Sequence, residues 1–306
     1  MTEIRIGNFN SYDRLADKQS VFSIEINGGS IDTFNGADVI SRDVKCLGYS
    51  KTNINSFKYC EQLPPNLHYL GLEYSKISNF DYCENLPRTI RELSMEGCPM
   101  NSFEGCKGLP PIETLSISTE SLKGIKCLPS SLRTLTIVCD EIHSFEDLKD
   151  VPISLNRLEI RTKNIKNFKG FSLLPKTITQ LSIVLDSNEN TLSFEGSEEL
   201  HRDLKYLDIQ VKCCIKDISG VESLPLNLGY FNIGSPTTKR DRSLYIGDEI
   251  RENPKYGNDT NTFIKLLREK YSAFDQMNFD CGWQSKSIYN NNVYKYIQLT
   301  KTLKSF

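Results

Sequence analysis

A leucine-proline step returns along this chain at Leu63-Pro64, Leu86-Pro87, Leu109-Pro110, Leu128-Pro129, Leu174-Pro175 and Leu224-Pro225, with Val151-Pro152 as a near match. Between steps the apolar residues keep one order. In a single unit they are Leu67, Leu70, Leu72, Ile77, Phe80, Cys83 and Leu86. With the second leucine as marker, ten copies fall at Ile24, Leu47, Leu70, Leu93, Leu115, Leu135, Leu158, Leu181, Leu207 and Phe231. Their spacings are 23, 23, 23, 22, 20, 23, 23, 26 and 24 residues. A period in this range marks a stacked array, because one such unit cannot bury its apolar face alone.

Within L-x-x-L-x-L the last two apolar residues alternate with period two, which places them on the inner face of a short strand and their neighbours on the outer face. The Ile and Phe that follow lie on the return side. Their register predicts an internal spine of Phe34, Phe57, Phe80, Phe103, Ile125, Phe145, Phe168, Phe194 and Ile218. The irregular spacings have expected locations. One residue is lost between Pro110 and Ile112, and three between Ile125 and Leu128. Three are gained between Ile183 and Phe194, and one between Ile209 and Ile215. All spare the strand cores, as expected where return loops are free to vary.

The L-x-x-L-x-L-x-x-S-x-I-x-x-F-x-x-C-x-x-L-P unit resembles the leucine-rich repeat superfamily. Its return segment is similar to the phosphatase-regulator subclass, and its L-P-x-x-L opening to bacterial-effector (LPX) and FNIP-type repeats. The resemblance implies an α/β-type repeat solenoid: a right-handed horseshoe with a concave parallel β-sheet and an irregular or short-helical convex side. One position departs from the family. Where asparagine is usual, this chain has Gly29, Thr52, Ser75, Cys98, Glu120, Asp140 and Lys163. Hydroxyls, carboxylates, a thiol or water are expected to cap the loop amides there instead.

The expected organisation is an N-terminal cap over residues 1–20, about ten repeats over 21–235, and a C-terminal capping region over 236–306. In the last region Phe263, Leu267, Tyr271 and Phe274 fall on one helical face, with Asn258 or Asp259 as N-cap. Trp283 and the alternating run VYKYIQL, a strand candidate, follow.

Composition narrows the function classes. Thirty-seven basic and 39 acidic residues give a net charge of −2, so no global field favours nucleic acid or an acidic membrane. No apolar stretch approaches the length of a bilayer span, and MTEIRIGNFNSYDR has no secretory h-region. Three of the ten cysteines, Cys60, Cys83 and Cys106, share one repeat position. Stacked equivalents have parallel Cβ vectors, whereas a disulfide needs converging ones. They are therefore expected to be reduced, buried and structural, in a cytoplasmic, reducing setting.

His68, His143 and His201 stand several repeats apart, so no histidine-based catalytic or zinc group is expected. No cofactor, metal or enzymatic activity is expected. The LPX resemblance raises one enzymatic alternative, a cysteine ubiquitin ligase. Here Cys281 in FDCGW lacks that family's C-x-D motif, and about 70 residues are too few for its domain. A second alternative is a substrate-recruiting ubiquitin-ligase subunit, an F-box-less relative, since the first repeat begins by Val21. The favoured reading is a non-enzymatic protein-binding scaffold, monomeric, with neither nucleic acid nor membrane as partner. Arg and Tyr are enriched at interfaces, which selects Lys45, His68, Tyr69, Arg91, Arg133, Arg157 and Arg161 on the outer strand face. Tyr206 and Tyr230 form a second group near Phe231.

Overall fold

The computed structural model describes residues 2–18, 20–187, 192–211, 220–225, 228, 230–234 and 297–300. They divide into two compact units, one of residues 1–141 and 150–155, the other of 142–149 and 156–306. The first unit holds β1 (Thr2–Gly7), β2 (Val21–Asn27), β3 (Cys46–Ser50), β4 (Tyr69–Gly71), β5 (Glu92–Met100), β6 (Thr114–Thr119) and β7 (Thr134–Val138), each parallel to the next. The second holds β8 (Arg157–Thr162), β9 (Gln180–Leu185), β10 (Tyr206–Val211) and β11 (Tyr230–Gly234), also parallel. One further strand, β12 (Ile297–Thr300), lies antiparallel on β11. One short parallel strand per repeat, returned by 3₁₀ turns, is the leucine-rich-repeat type of solenoid.

The marker residues pair in register. Ile24 stands beside Leu47, Leu47 beside Leu70, Leu70 beside Leu93, Leu93 beside Leu115, and Leu115 beside Leu135. In the second unit Leu158, Leu181, Leu207 and Phe231 follow the same rule. All are buried, as alternation requires. The segment preceding the first repeat is more than a covering loop. β1 extends the sheet by one strand, and Phe9, Tyr12 and Leu15 are buried beneath it. The Tyr12 hydroxyl meets that of buried Tyr49 at 3.2 Å, so an inward position otherwise held by aliphatics takes a tyrosine with its own partner. The expected C-terminal helix and Trp283 lie outside the described residues.

The L-P step has a local cause. A residue before proline is held extended, and Leu63, Leu86 and Leu174 are extended as they end their 3₁₀ turns. The proline carbonyl then closes a tight turn onto the next apolar residue, as in Pro64 with Leu67 (3.1 Å), Pro87 with Ile90 (3.1 Å) and Pro129 with Leu132 (3.1 Å). Where one residue is missing the closure tightens: Ile112 N–H reaches back only two residues, to the Pro110 carbonyl, at 2.7 Å.

Three expectations shift in detail. In the 20-residue repeat the residue in spine register is Leu122, half-buried there, while the buried Ile125 lies three residues on. The Ile125 amide bonds to the Leu122 carbonyl just as Cys106 does to Phe103 and Cys60 to Phe57, so Ile125 occupies the cysteine position. The three lost residues accordingly lie before Thr119. That residue pairs with Met100, whereas Ile117 pairs with Met95.

The third shift concerns the residues replacing asparagine. Thr52 and Ser75 are buried with their hydroxyls 3.0 Å apart, and the Cys98 thiol donates to the Leu72 carbonyl at 2.8 Å. Glu120, Asp140 and Lys163 are instead exposed, and the residue before each, Thr119, Cys139 and Thr162, is buried. In the earlier repeats a left-handed residue (Gly28, Lys51, Tyr74, Gly97) interrupts the alternation and moves the inward position on by one. Thr119, Cys139 and Thr162 follow no such interruption, so the period of two simply continues.

The spine itself holds. Phe34, Phe57, Phe80, Phe103, Phe145, Phe168 and Phe194 are all buried, and neighbours such as Phe57 and Phe80 stack at 6.4 Å. Ile218 lies outside the described residues. The cysteines of the repeat column donate to the carbonyl of the left-handed residue that heads the next turn. Cys60 reaches Tyr82 (3.4 Å), Cys83 reaches Gly105 (3.6 Å), Cys106 points to Gly124 (3.9 Å), and Ser197 does the same to Gly220. Burial pushes these three thiols up to about 12, so they are neutral donors and not nucleophiles. Cys46, Cys98, Cys127 and Cys139 likewise form no disulfide.

Candidate functional site

Alternation that buries one side of each strand turns the other outward in rows, each row running across neighbouring strands. In the first unit Lys45, His68, Arg91, Glu113 and Arg133 form such a row just ahead of the strands. Each is tied to the next through the backbone: His68 N–H to the Lys45 carbonyl (2.8 Å), Arg91 to His68 (2.9 Å), Glu113 to Arg91 (2.7 Å) and Arg133 to Glu113 (2.8 Å). Lys45, His68, Tyr69 and Arg91 are thus brought together. Arg133 is set apart by Glu113, whose carboxylate stands 3.7 Å from the Arg91 guanidinium. Both arginines also turn back onto backbone, Arg91 to the Arg88 carbonyl (2.8 Å) and Arg133 to that of Ser154 (3.2 Å).

The next rows build relief. Gly48 and Gly71 stand side by side where the neighbouring strands carry Glu25 and Ser94. The Tyr69 ring lies along its own strand over Gly71, with its hydroxyl 2.7 Å from where a Cβ at Gly71 would stand. Only glycine permits that rotamer. Burial raises the Tyr69 hydroxyl above its ordinary range, and nearby Glu73 adds to the effect. Two hollows open beside this ring. One, about 520 Å³, is lined by Cys46, His68, Tyr69, Thr89, Arg91 and Glu92. The other, about 230 Å³, lies over Gly48 between Glu25 and Glu73.

In the second unit Arg157 and Arg161 share the outer face of β8, and Glu159 lies between them. Glu159 accepts from Arg161 at 2.9 and 3.1 Å and lies 3.7 Å from Arg157. The two cations are therefore partly spent on a carboxylate of their own strand. Tyr206 and Tyr230 stack at 4.3 Å with their planes 5° apart. Burial, with nearby Asp208, pushes the Tyr206 hydroxyl up to about 12. Two of the named histidines belong to the frame: the His201 ring sits 3.0 Å from the Leu174 carbonyl and 4.9 Å from Phe171, while His143 donates its backbone N–H to Asp147 at 2.9 Å.

Sequence reasoning selected residues by type, basic or aromatic, and so passed over Glu25, Gly48, Gly71, Glu73 and Glu159. The available signal was the glycine pair in one column, with Glu25 on the strand before it and Glu73 two residues after Gly71. Among the described residues no group of three or more His, Cys, Asp or Glu is placed to hold a metal ion, and no helix is long and apolar enough to cross a membrane.

No protein-family model matches the chain, and no curated protein matches it. Among solved structures it is similar to an internalin from Listeria monocytogenes, with 17% identity and a TM-score of 0.43 over 71% of this chain and 68% of that one.

Proposed function

We propose that the protein is a non-enzymatic scaffold that binds another protein through its sheet face. The observation that supports this reading most is the relief of that face in the first unit, where two adjoining hollows share Cys46 and Tyr69. Interface hot spots form where an aromatic anchor meets a recess that excludes water. Lys45, His68, Tyr69 and Arg91 belong to this proposed surface, with Arg133 at its edge. Arg157, Arg161, Tyr206 and Tyr230 make a second surface of the same kind on their own unit. The partner is a protein rather than nucleic acid or membrane, and the chain acts as a monomer in a reducing, cytoplasmic setting. Thiols used as neutral donors inside the stack support that setting. The closing turn at each L-P step supports a kinship with LPX and FNIP-type repeats.

A photo-crosslinking residue at His68, exposed on the sheet face, is compared with one at Lys107, exposed on the return side. In native extract, position 68 is expected to yield a discrete protein adduct that position 107 does not. Adducts from 107 alone, or equal from both, would overturn the sheet-face reading.

A further inference from the structure

Resting on that reading, we propose that the hollow over Gly48 is a slot for an arginine side chain of the partner. Space is the first ground. Two neighbouring strands lack a side chain at the same outward position, and the resulting recess of about 230 Å³ has backbone for a floor. A long, thin side chain can lie along such a floor where a bulky one would strike Tyr69.

Charge is the second ground. The recess is lined by Glu25 and Glu73 together with Ser23, Asn27 and Ser50, and none of its lining residues is a lysine or arginine. The Ser94 hydroxyl, on the neighbouring strand, donates to the Glu73 carboxylate at 3.1 Å and holds it. Glu25 already shows the chemistry. The Arg5 guanidinium, from the adjacent strand, approaches it to 3.0 Å from a position that is 75% exposed. An ion pair that open to water is weak and exchanges readily, so it leaves Glu25 accessible to a better-enclosed guanidinium.

The aromatic wall is the third ground. The Tyr69 ring lines the recess and is held in place by Gly71 beneath it. A planar guanidinium stacks on an aromatic ring and addresses carboxylates with several parallel donors, whereas an ammonium group does so only as a point charge. The combination of a glycine floor, an aromatic side and two carboxylates therefore selects arginine over lysine.

The test is an NMR titration of the full chain with N-acetyl-arginine amide, against N-acetyl-citrulline amide and N-acetyl-lysine amide. The expected result is saturable shifts centred on the Gly48 and Gly71 amides, with the lysine probe weaker and the neutral citrulline probe silent. The double variant Glu25→Gln, Glu73→Gln should bind the arginine probe about tenfold more weakly. Its amide spectrum elsewhere should be unchanged, because both side chains lie on the outer face. No saturable shift, shifts centred elsewhere, equal response to citrulline, or equal affinity for lysine would overturn the proposal. The position-68 crosslink is read in parallel. If it persists while the arginine probe fails, the slot is refuted and the binding face stands. If it is absent from the wild type, the reading of the face itself has failed.

Discussion

The interior columns and the outer sheet face are built from the same strands, one residue apart, yet they obey different rules. Inward, the marker position is leucine or isoleucine in nine of ten copies, and the spine is almost entirely phenylalanine. Outward, one row reads Lys45, His68, Arg91, Glu113 and Arg133. Each inward residue must fit its equivalents in the repeats before and after it, so packing makes the copies alike. An outward residue meets solvent, side chains of its own face such as Glu113 beside Arg91, and whatever docks, so interior packing does not make the copies agree. Uniformity is the mark of the frame, and variation marks the surface left free for recognition.

Inward and outward substitutions should differ most in cost. Phe80→Ala should lower stability by about 3–5 kcal/mol in a denaturant titration, while Phe22→Ala, half-exposed ahead of the strand core, should cost well under half as much. Near-equal losses would refute the assignment of faces.

A smaller effect is expected on the return side, where six repeats place glycine and two place tyrosine at the left-handed head of the turn. A Cβ at Gly124, with φ +85°, would stand 2.8 Å from the Glu104 nitrogen, so Gly124→Ala should cost about 1–3 kcal/mol. Tyr82 holds the same backbone at φ +69° and is about half exposed. Tyr82→Gly should raise the unfolding midpoint, by up to about 1 kcal/mol in stability. A harmless Gly124→Ala would show that the backbone does not impose the glycine.

The fold was legible because its determinants recur: marker, spine and L-P step each appear many times, and one misfit copy cannot hide the period. Where the pattern was cut short, so was the reading. In the 20-residue repeat Ile125 looks like a spine residue, but the shortened strand exit draws Leu122 into that place, and only the hydrogen bond to its carbonyl reveals it. Glu120, Asp140 and Lys163 misled for a related reason. Whether a left-handed residue resets the alternation is a backbone property, and both Lys51 and Tyr74 adopt that conformation without being glycine. The candidate site was legible in part. Register placed Tyr69 and Arg91 correctly on the outer face, but it could not show that Glu113 engages Arg91 or that Glu159 engages Arg161. The role of Gly71 as the bed for Tyr69 emerges only from the rotamer.

One measurement reads both faces in a single molecule. Cys46 stands on the outer face beside Tyr69, while Cys60, Cys83 and Cys106 point into the stack. The inner thiols ionise only near 12 instead of near 9. Their share of stability is therefore complete below pH 9 and is lost as pH rises from 9 toward 12. Alkylation near pH 8, mapped by mass spectrometry before and after unfolding, should modify Cys46 in the native protein and leave Cys60, Cys83 and Cys106 untouched until denaturant is added. Prompt native labelling of Cys83, or a disulfide joining Cys60 to Cys83, would contradict the stacked register from which the whole account follows.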